Sequence, residues 1–482
     1  MRLSYAEIAA YLGLPGGSDD RLLTAAVTDS REASPGALFV CVPGSRVDGH
    51  DFAAAAVARG AAAVLAQRPL PSVGAPVLLV PDTVAALGRI AALWRSRTTA
   101  RVVGVTGTAG KTTLKEVLAQ VLAVRGRTAR NALNHNNQIG MPRAMLAADG
   151  QEDFWVMEAG ISHAGDMDAL GAVLRPDLGV ILNAGAGHTE GLGEKGVAWH
   201  KARLLRYLAS GGLGLVCADY PDLAREAGAY AAQVRWFSAA GRSADYAAAY
   251  LGPAALTDVP CGTAQADRAG ELGLFRIRLE GATAAVAAPF RGAYGAENVA
   301  AVAAAAHLLG LSLEEIALGL GRAVLPAQRL ARLRLGGWQV LDDTYNANPL
   351  SMRRMLEATA GQAAGVPLVA VLGEMLELGA QAAPCHEELG RQLAALGPAA
   401  VFWKGGQAEA VRAGLVRGGY AGPWLPVTDA ADFVAAWERT TAGLPAGVAL
   451  FKGSRGNRLE VLLAALQERL GRSEAARAQC GA

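Results

Sequence analysis

The amino-acid sequence predicts an α/β protein of three domains built on mainly parallel sheets. Short apolar, β-branched runs such as Val102–Val105 and Leu368–Leu372 recur along the chain, separated by stretches with helical spacing. That alternation is the signature of a parallel sheet covered on both faces. At roughly 100–200 residues per domain, 482 residues make about three domains. The pattern is broken by a polar joint at Thr98–Arg101 and again at Pro326. The expected units are a small N-terminal α/β domain over 1–98, a central domain over 99–325, and a C-terminal, doubly wound, Rossmann-like domain over 326–482.

Each unit follows from its own runs. In the first, Leu38–Val42 and Val77–Val80 read as strands, with helices over Phe52–Gly60 and Thr83–Arg95. In the second, Val102–Val105 enters a Gly-rich turn, a helix is expected over Leu114–Arg125, and Phe154–Met157 and Leu178–Leu182 are further strands. The stretch 220–295 is less regular and is expected to insert antiparallel strands before an Ala-rich helix over Asn298–Leu309. In the third, Gln339–Leu341, Leu368–Leu372, Ala400–Trp403 and Val448–Phe451 read as strands. The last ~12 residues are expected to fray.

Composition narrows the function. A hydrophobic share of 52% and a net charge of +2, from 45 Lys+Arg against 43 Asp+Glu, exclude a disordered chain. The same balance argues against a nucleic-acid or membrane-surface protein. Cys41, Cys217, Cys261, Cys385 and Cys480 are widely spaced and form no CxxC pair, which suits a reducing compartment. No signal-peptide pattern opens the chain, and no uncharged apolar run reaches the ~18 residues of a membrane span. The expectation is a cytoplasmic monomer without membrane insertion.

The sharpest local signal is Gly104-Val-Thr-Gly107-Thr108-Ala109-Gly110-Lys111-Thr112-Thr113. After a strand and before a helix, such a loop turns backbone N–H groups inward around phosphate oxygens, and the helix N-terminus adds positive potential. Lys111 is expected to reach the β/γ-phosphates and the Thr112 hydroxyl to meet Mg²⁺. Val105 stands where the common Walker pattern has glycine. Glu158 follows a strand, as do Asn183, His188 and Glu190, so carboxylate and imidazole fall at the ligand end of a parallel sheet. Read from the residues alone, Lys201 is a solvated helix position. These features suit a nucleotide-driven enzyme, and equally a nucleotide-binding switch without synthetic chemistry.

The loop Thr106–Thr112 resembles that of the Mur ligases, the ATP-dependent amide-forming enzymes of peptidoglycan precursor synthesis. The resemblance extends through Thr28-Asp-Ser30-Arg31, Pro35–Phe39, Asp48-Gly-His50-Asp-Phe52, Asn134–Pro142, Glu158–Ser162, Asn183–Gly191, Leu341–Met352, Gly373–Gly379 and Lys452–Gly456. Leu341-Asp-Asp343-Thr-Tyr345-Asn346-Ala-Asn348-Pro349 points within the family to the activity that adds D-alanyl-D-alanine to UDP-MurNAc-tripeptide. The Asp-Tyr-Ala-His type segment of the tripeptide-forming relatives is absent. The departures are Glu297 and Ala301, where the family pattern has His and Asn, and Arg203, where Glu usually stands two residues after the modified lysine.

The resemblance implies ATP and two Mg²⁺ ions as cofactors. Gly107, Thr108, Ala109, Gly110, Lys111, Thr112 and Thr113 would hold the phosphates. Asn137 and Asn298 would contact the nucleotide, with Arg329 and Asp343 reaching it from the third domain. Catalysis would fall to Lys111, Glu158, His188 and Lys201. The first ion would sit on Thr112 and Glu158, and the second on Glu158, His188 and a carbamoylated Lys201. Ser30, Arg31, Asp48 and His50 would hold the UDP end of the substrate. Tyr345, Asn346 and Asn348 would shape the dipeptide site, with Ser162, Lys452, Ser454 and Arg455 as further substrate residues.

Overall fold

The computed structural model describes residues 1–15, 18–44, 47–185, 189–193, 195–258 and 272–480. Three large sheets carry the fold. The N-terminal sheet is four-stranded and parallel, in the order Ala25–Val27, Ala37–Val40, Ala63–Ala66, Val77–Leu79. The C-terminal sheet has six strands: Ala331–Leu335, Trp338–Asp343, Val448–Lys452, Leu368–Gly373, Ala400–Lys404 and Trp424–Pro426. Only its first strand, at the edge, runs antiparallel.

The central sheet has nine strands and positions the site. Its parallel part runs from Thr128–Arg130 through Phe154–Glu158, Arg101–Thr106, Leu178–Ile181, Leu213–Cys217 and Val234–Ser238 to Tyr246–Pro253. Gly273–Leu279 and Ala282–Ala288 then extend it antiparallel, which is the irregular insertion that 220–295 predicts. Alternate residues of one strand serve opposite faces. Val103, Val105 and Val156 pack under the helices Lys111–Leu122 and Gly292–Leu308. Val102, Trp155 and Met157 pack on the other side against Gly140–Ala147 and Asp166–Leu174. With both faces covered, the strands become near-continuous apolar runs.

The second of those cores is not confined to the central sheet. It continues through Ile90 and Trp94 of the helix Thr83–Arg95 to Leu38, Val40 and Leu65 of the N-terminal sheet. The C-terminal sheet has separate cores of its own.

Several elements differ from the sequence reading. The first helix of the phosphate loop starts at Lys111 and ends at Leu122, and the Ala-rich helix begins six residues early, at Gly292. The stretch expected to fray is helical to Cys480. Cys41, Cys217 and Cys385 are free thiols, and Cys261 lies outside the described residues. No described helix is long and apolar enough to cross a membrane.

Candidate active site

The strand Arg101–Thr106 ends in the loop Gly107–Gly110, and the next residue, Lys111, opens the helix. Gly110 has φ +80°, and a Cβ there would lie 2.8 Å from Leu182 Cδ2 and 3.1 Å from the Tyr294 hydroxyl. Only glycine meets both demands. Asn183 braces the loop: its Oδ1 accepts from Thr108 N and Ala109 N, both at 2.9 Å, and its Nδ2 donates to Ala109 O at 3.0 Å.

The loop opens into a cavity of about 620 Å³ lined from the central and C-terminal sheets. Glu158, 1% exposed, sits at its floor, at the end of its strand. Its Oε2 accepts from the Thr112 hydroxyl at 2.7 Å and its Oε1 from Asn136 Nδ2 at 2.6 Å. Asn131 holds the Glu158 backbone through both N–H and C=O. From the C-terminal side, Arg329 Nη2 donates to Thr112 Oγ1 at 3.0 Å, and its guanidinium lies 4.1 Å over the Tyr345 ring. Thr112 is therefore held at once by the central sheet and by the third domain.

Two lysines frame the loop. Lys111 reaches back toward Thr108 O at 3.5 Å. Burial lowers its pKa, opposed by Glu158 and reinforced by Arg329. Lys201 is 2% exposed and donates to Gly107 O at 2.9 Å. Burial holds its pKa well below the ordinary lysine value, with Lys111 adding to the effect and Glu158 opposing it. The residue reading of Lys201 as a solvated helix position is thus corrected: the helix Gly196–Ala202 turns it under the phosphate loop.

The third domain supplies the opposite wall. Lys452 pairs with Asp343 and donates to Asn346 O at 3.1 Å. Asn348 caps the helix Pro349–Gln362, and its Nδ2 donates to Thr108 O at 3.2 Å. Ser454 ties Ala347 to Leu376, and Arg455 reaches Gln328 and the Tyr345 ring. Ser162 lies on the rim, its N–H donating to Asp166.

Other expected residues are placed differently. Asn137 lines the cavity, yet its Oδ1 accepts from Gly140 N at 2.8 Å and so restrains the next helix. Asn136, its neighbour, is the one that reaches Glu158. Asn298 is buried beside Gly110, and its Oδ1 takes no hydrogen bond of ordinary geometry. Ser30, Arg31, Asp48 and His50 do not line this cavity. Arg31 pairs with Asp29. His50, 5% exposed, engages Asp48 through Nδ1 at 2.6 Å and accepts from Gln67 N through Nε2 at 2.9 Å. With both nitrogens engaged, His50 holds the turn that begins at Asp48. Arg203 pairs with Asp168 and stacks 4.7 Å from Trp199, so it does not contribute the carboxylate the family pattern has there. His188 lies outside the described residues.

Asn131, Asn136 and Asn183 escaped the sequence reading as site residues, although Asn136 and Asn183 lie inside the motifs that signalled the site. Taken together, the chemistry is an anion cradle with two lysines at the loop, a hydroxyl–carboxylate pair of oxygen donors, and an arginine from a second domain. Oxygen donors are what Mg²⁺ takes.

Comparison with known proteins agrees with that geometry. Residues 24–95 match the family described as "Mur ligase family, catalytic domain", 105–306 the "Mur ligase middle domain" and 328–455 the "Mur ligase, glutamate ligase domain". The UDP-N-acetylmuramoyl-tripeptide--D-alanyl-D-alanine ligase of Escherichia coli (strain K12) is 33% identical over 453 residues, 93% of this chain and 95% of that one. MurF from Acinetobacter baumannii superposes with a TM-score of 0.85 at 28% identity, covering 97% of this chain and 99% of that one. MurF ligase from Thermotoga maritima, solved in complex with ADP, gives 0.78 at 25%, covering 93% and 98%. On the phosphate loop, the Glu158–Thr112 pair, the third-domain arginine and this near full-length similarity, the chain belongs to the Mur ligase family.

Proposed function

We propose that this chain is the ATP-dependent ligase that joins D-alanyl-D-alanine to UDP-N-acetylmuramoyl-tripeptide, giving the UDP-MurNAc-pentapeptide of peptidoglycan synthesis. The observation that carries it is the Thr112 hydroxyl, bound by Glu158 from one domain and Arg329 from another. A switch that only binds nucleotide needs no second domain at its phosphate loop. A ligase does, because it must bring a carboxylate, a triphosphate and an amine together.

The reaction transfers the γ-phosphoryl group to the terminal carboxylate of the tripeptide, giving an acyl phosphate and ADP. The dipeptide amine then attacks the acyl carbon and phosphate leaves. Two anions must approach in the first step, so fixed cations lower its barrier. Lys111 and Arg329 supply them. The loop N–H groups orient the phosphates, and Asn136 and Asn131 fix Glu158. Residues 1–98 would take the UDP-sugar, 99–325 the ATP and 326–482 the amine. Docking of the third domain would exclude water, which an acyl phosphate does not survive for long.

Mg²⁺ fits the oxygen donors Thr112 and Glu158, and when bound it would neutralise phosphate charge. A second ion would draw on Glu158, His188 and Lys201. We assign carbamoylation to Lys201: its neutral amine attacks CO₂, a proton leaves, and a carbamate oxygen replaces a useless ammonium. Burial supports this by lowering the pKa of the amine and so favouring its neutral form. The Asn298 Oδ1 and the cation-flanked Tyr345 would face the nucleotide and the dipeptide side.

The test is phosphate release with ATP, Mg²⁺, UDP-MurNAc-tripeptide and D-Ala-D-Ala, each omitted in turn. Release that needs both acceptor substrates, with a pentapeptide mass, is expected. Release indifferent to D-Ala-D-Ala overturns the specificity, and substrate-independent hydrolysis overturns the ligase.

A further inference from the structure

One helix of the third domain reaches the phosphate loop by two routes. At its N-terminus, Asn348 donates to Thr108 O at 3.2 Å. A turn and a half later, Arg354 crosses to the central domain and donates to Glu297 Oε2 at 2.5 Å. Glu297 Oε1 accepts from Asn183 Nδ2 at 2.8 Å, and Asn183 Oδ1 holds the N–H groups of Thr108 and Ala109. Both routes end on Thr108, and the second also reaches Ala109.

We infer that Glu297 and Arg354 are a positioning pair that couples docking of the third domain to the geometry of the phosphate loop. Glu297 is 4% exposed, on the helix Gly292–Leu308. Its other hydrogen-bond partners, Asn183 and the Tyr220 hydroxyl, are neutral and belong to its own domain. Asp219 nearby repels it. Burial pushes the Glu297 carboxyl up to about 8, with Asn183 opposing and Asp219 adding. Arg354 is the cation in contact with it, and that cation arrives from the other domain. Arg354 is held in turn by Tyr220, whose hydroxyl it reaches, and by the Tyr294 ring at 4.8 Å. A buried carboxylate is tolerated only when paired. With the third domain docked, Glu297 is fixed between Arg354 and Tyr220 and holds Asn183, and through it the loop, in one place. The pair touches no reacting atom. It acts through Asn183.

This rests on the ligase reading, so the test separates the two. In the full chain, Glu297→Gln, Arg354→Met, Arg354→Lys and the double variant Glu297→Gln/Arg354→Met are compared. Each of E297Q and R354M is expected to lower kcat 10- to 100-fold, with KM for UDP-MurNAc-tripeptide within twofold and melting within a few degrees of wild type. The double variant should be no slower than the worse single, and R354K should recover at least fivefold over R354M. Small-angle scattering with the β,γ-methylene analogue of ATP should show compaction in wild type and none in R354M. Multiplying losses in the double variant, equal activity of R354K and R354M, or unchanged compaction in R354M overturns the coupling. Should E297Q not fold, R354M, altered on the third-domain side, carries the same comparison. If wild type makes no pentapeptide, the ligase reading fails, while the scattering comparison still decides the coupling.

Discussion

Gly110→Ala isolates what the phosphate loop demands of its backbone. Two costs act at that position. The residue sits at φ +80°, and an L-residue in the left-handed region costs roughly 1–2 kcal/mol. The new methyl would lie 2.8 Å from Leu182 Cδ2, 3.1 Å from the Tyr294 hydroxyl and 3.4 Å from Asn298 Oδ1. Leu182 and Asn298 are fully buried and cannot swing away, so overpacking adds about 1–3 kcal/mol. The total is about 2–5 kcal/mol. In the free protein the loop can shift to relieve part of this, and bound phosphates would force it back. The strain therefore divides between lost stability and lost nucleotide affinity, and the two losses should sum to that total. Calorimetric binding of ADP and a thermal melt measure them together. Gly211→Ala is the control. It has φ +73° with nothing within 4 Å of the added Cβ, so it bears only the backbone cost and leaves ADP affinity unchanged. At about 2–4 °C per kcal/mol for a domain of this size, both quantities are within reach. If G110A binds ADP within threefold of wild type and melts like G211A, the close packing of the loop against Leu182 and Tyr294 is not a constraint and the reasoning fails.

Lys111→Ala should abolish turnover while the dissociation constant for UDP-MurNAc-tripeptide, followed by equilibrium binding, stays within threefold; equal loss of both would refute the division of labour between domains. Lys201→Met should be inactive yet more stable than wild type in bicarbonate-free buffer at neutral pH. The depressed folded pKa means the unfolded chain binds more protons, so wild-type stability climbs with pH from the folded value toward 10.5, and the advantage of K201M should shrink over that window in pH-dependent melts. Asn136→Ala frees one oxygen of Glu158, and a loss of about 10- to 100-fold in activity or Mg²⁺ affinity is expected, as for other groups that orient a ligand. Arg203→Ala breaks a partly exposed pair with Asp168 and a stack on Trp199, neither of which lines the cavity, so steady-state kinetics should stay within twofold.

Much of the fold was legible because parallel strands buried on both faces read as apolar runs. Val102–Val105, Phe154–Met157 and Leu368–Leu372 carry their own signal. Thr128–Arg130 does not: it is short and polar, and it is a strand because Phe154–Val156 offers it a partner edge. The phosphate loop was legible because its chemistry is local, with glycines, Lys111 and Thr112 in one run. Lys201 was not legible from its own helix, because its hydrogen-bond partner is Gly107, 94 residues away in the chain. The Asn134–Asn137 run announced a functional loop without saying which asparagine faces inward. Asn137 is spent on Gly140 and Asn136 reaches Glu158, a choice set by loop geometry that no spacing rule encodes. Glu297 looked like a defect in a nucleotide-contact pattern. It is one half of a cross-domain ion pair whose other half, Arg354, lies 57 residues on.

The way the domains are joined bears on which of them can move. The first and second share one apolar core, from Leu38 and Leu65 through Trp94 to Met141 and Trp155. Arg95 clamps the same junction, donating to Leu174 O at 3.2 Å and to Asp177 at 2.9 Å. Separating them would expose that core to water, at about 25 cal/mol for each Å². The third domain keeps its cores to itself and meets the loop chiefly through polar groups: Arg329 on Thr112, Asn348 on Thr108 and Arg354 on Glu297. Polar groups at an interface regain water when it opens, so that junction costs far less to part. A site that must admit a triphosphate and a dipeptide and then shut out water needs one junction that opens and another that does not. The apolar seam makes the first two domains a single platform, and the third is the one whose junction parts at the lower cost. The residues it carries across, Arg329 and Asn348, are the ones that touch the phosphate loop, so the loop is completed only when the third domain is in place.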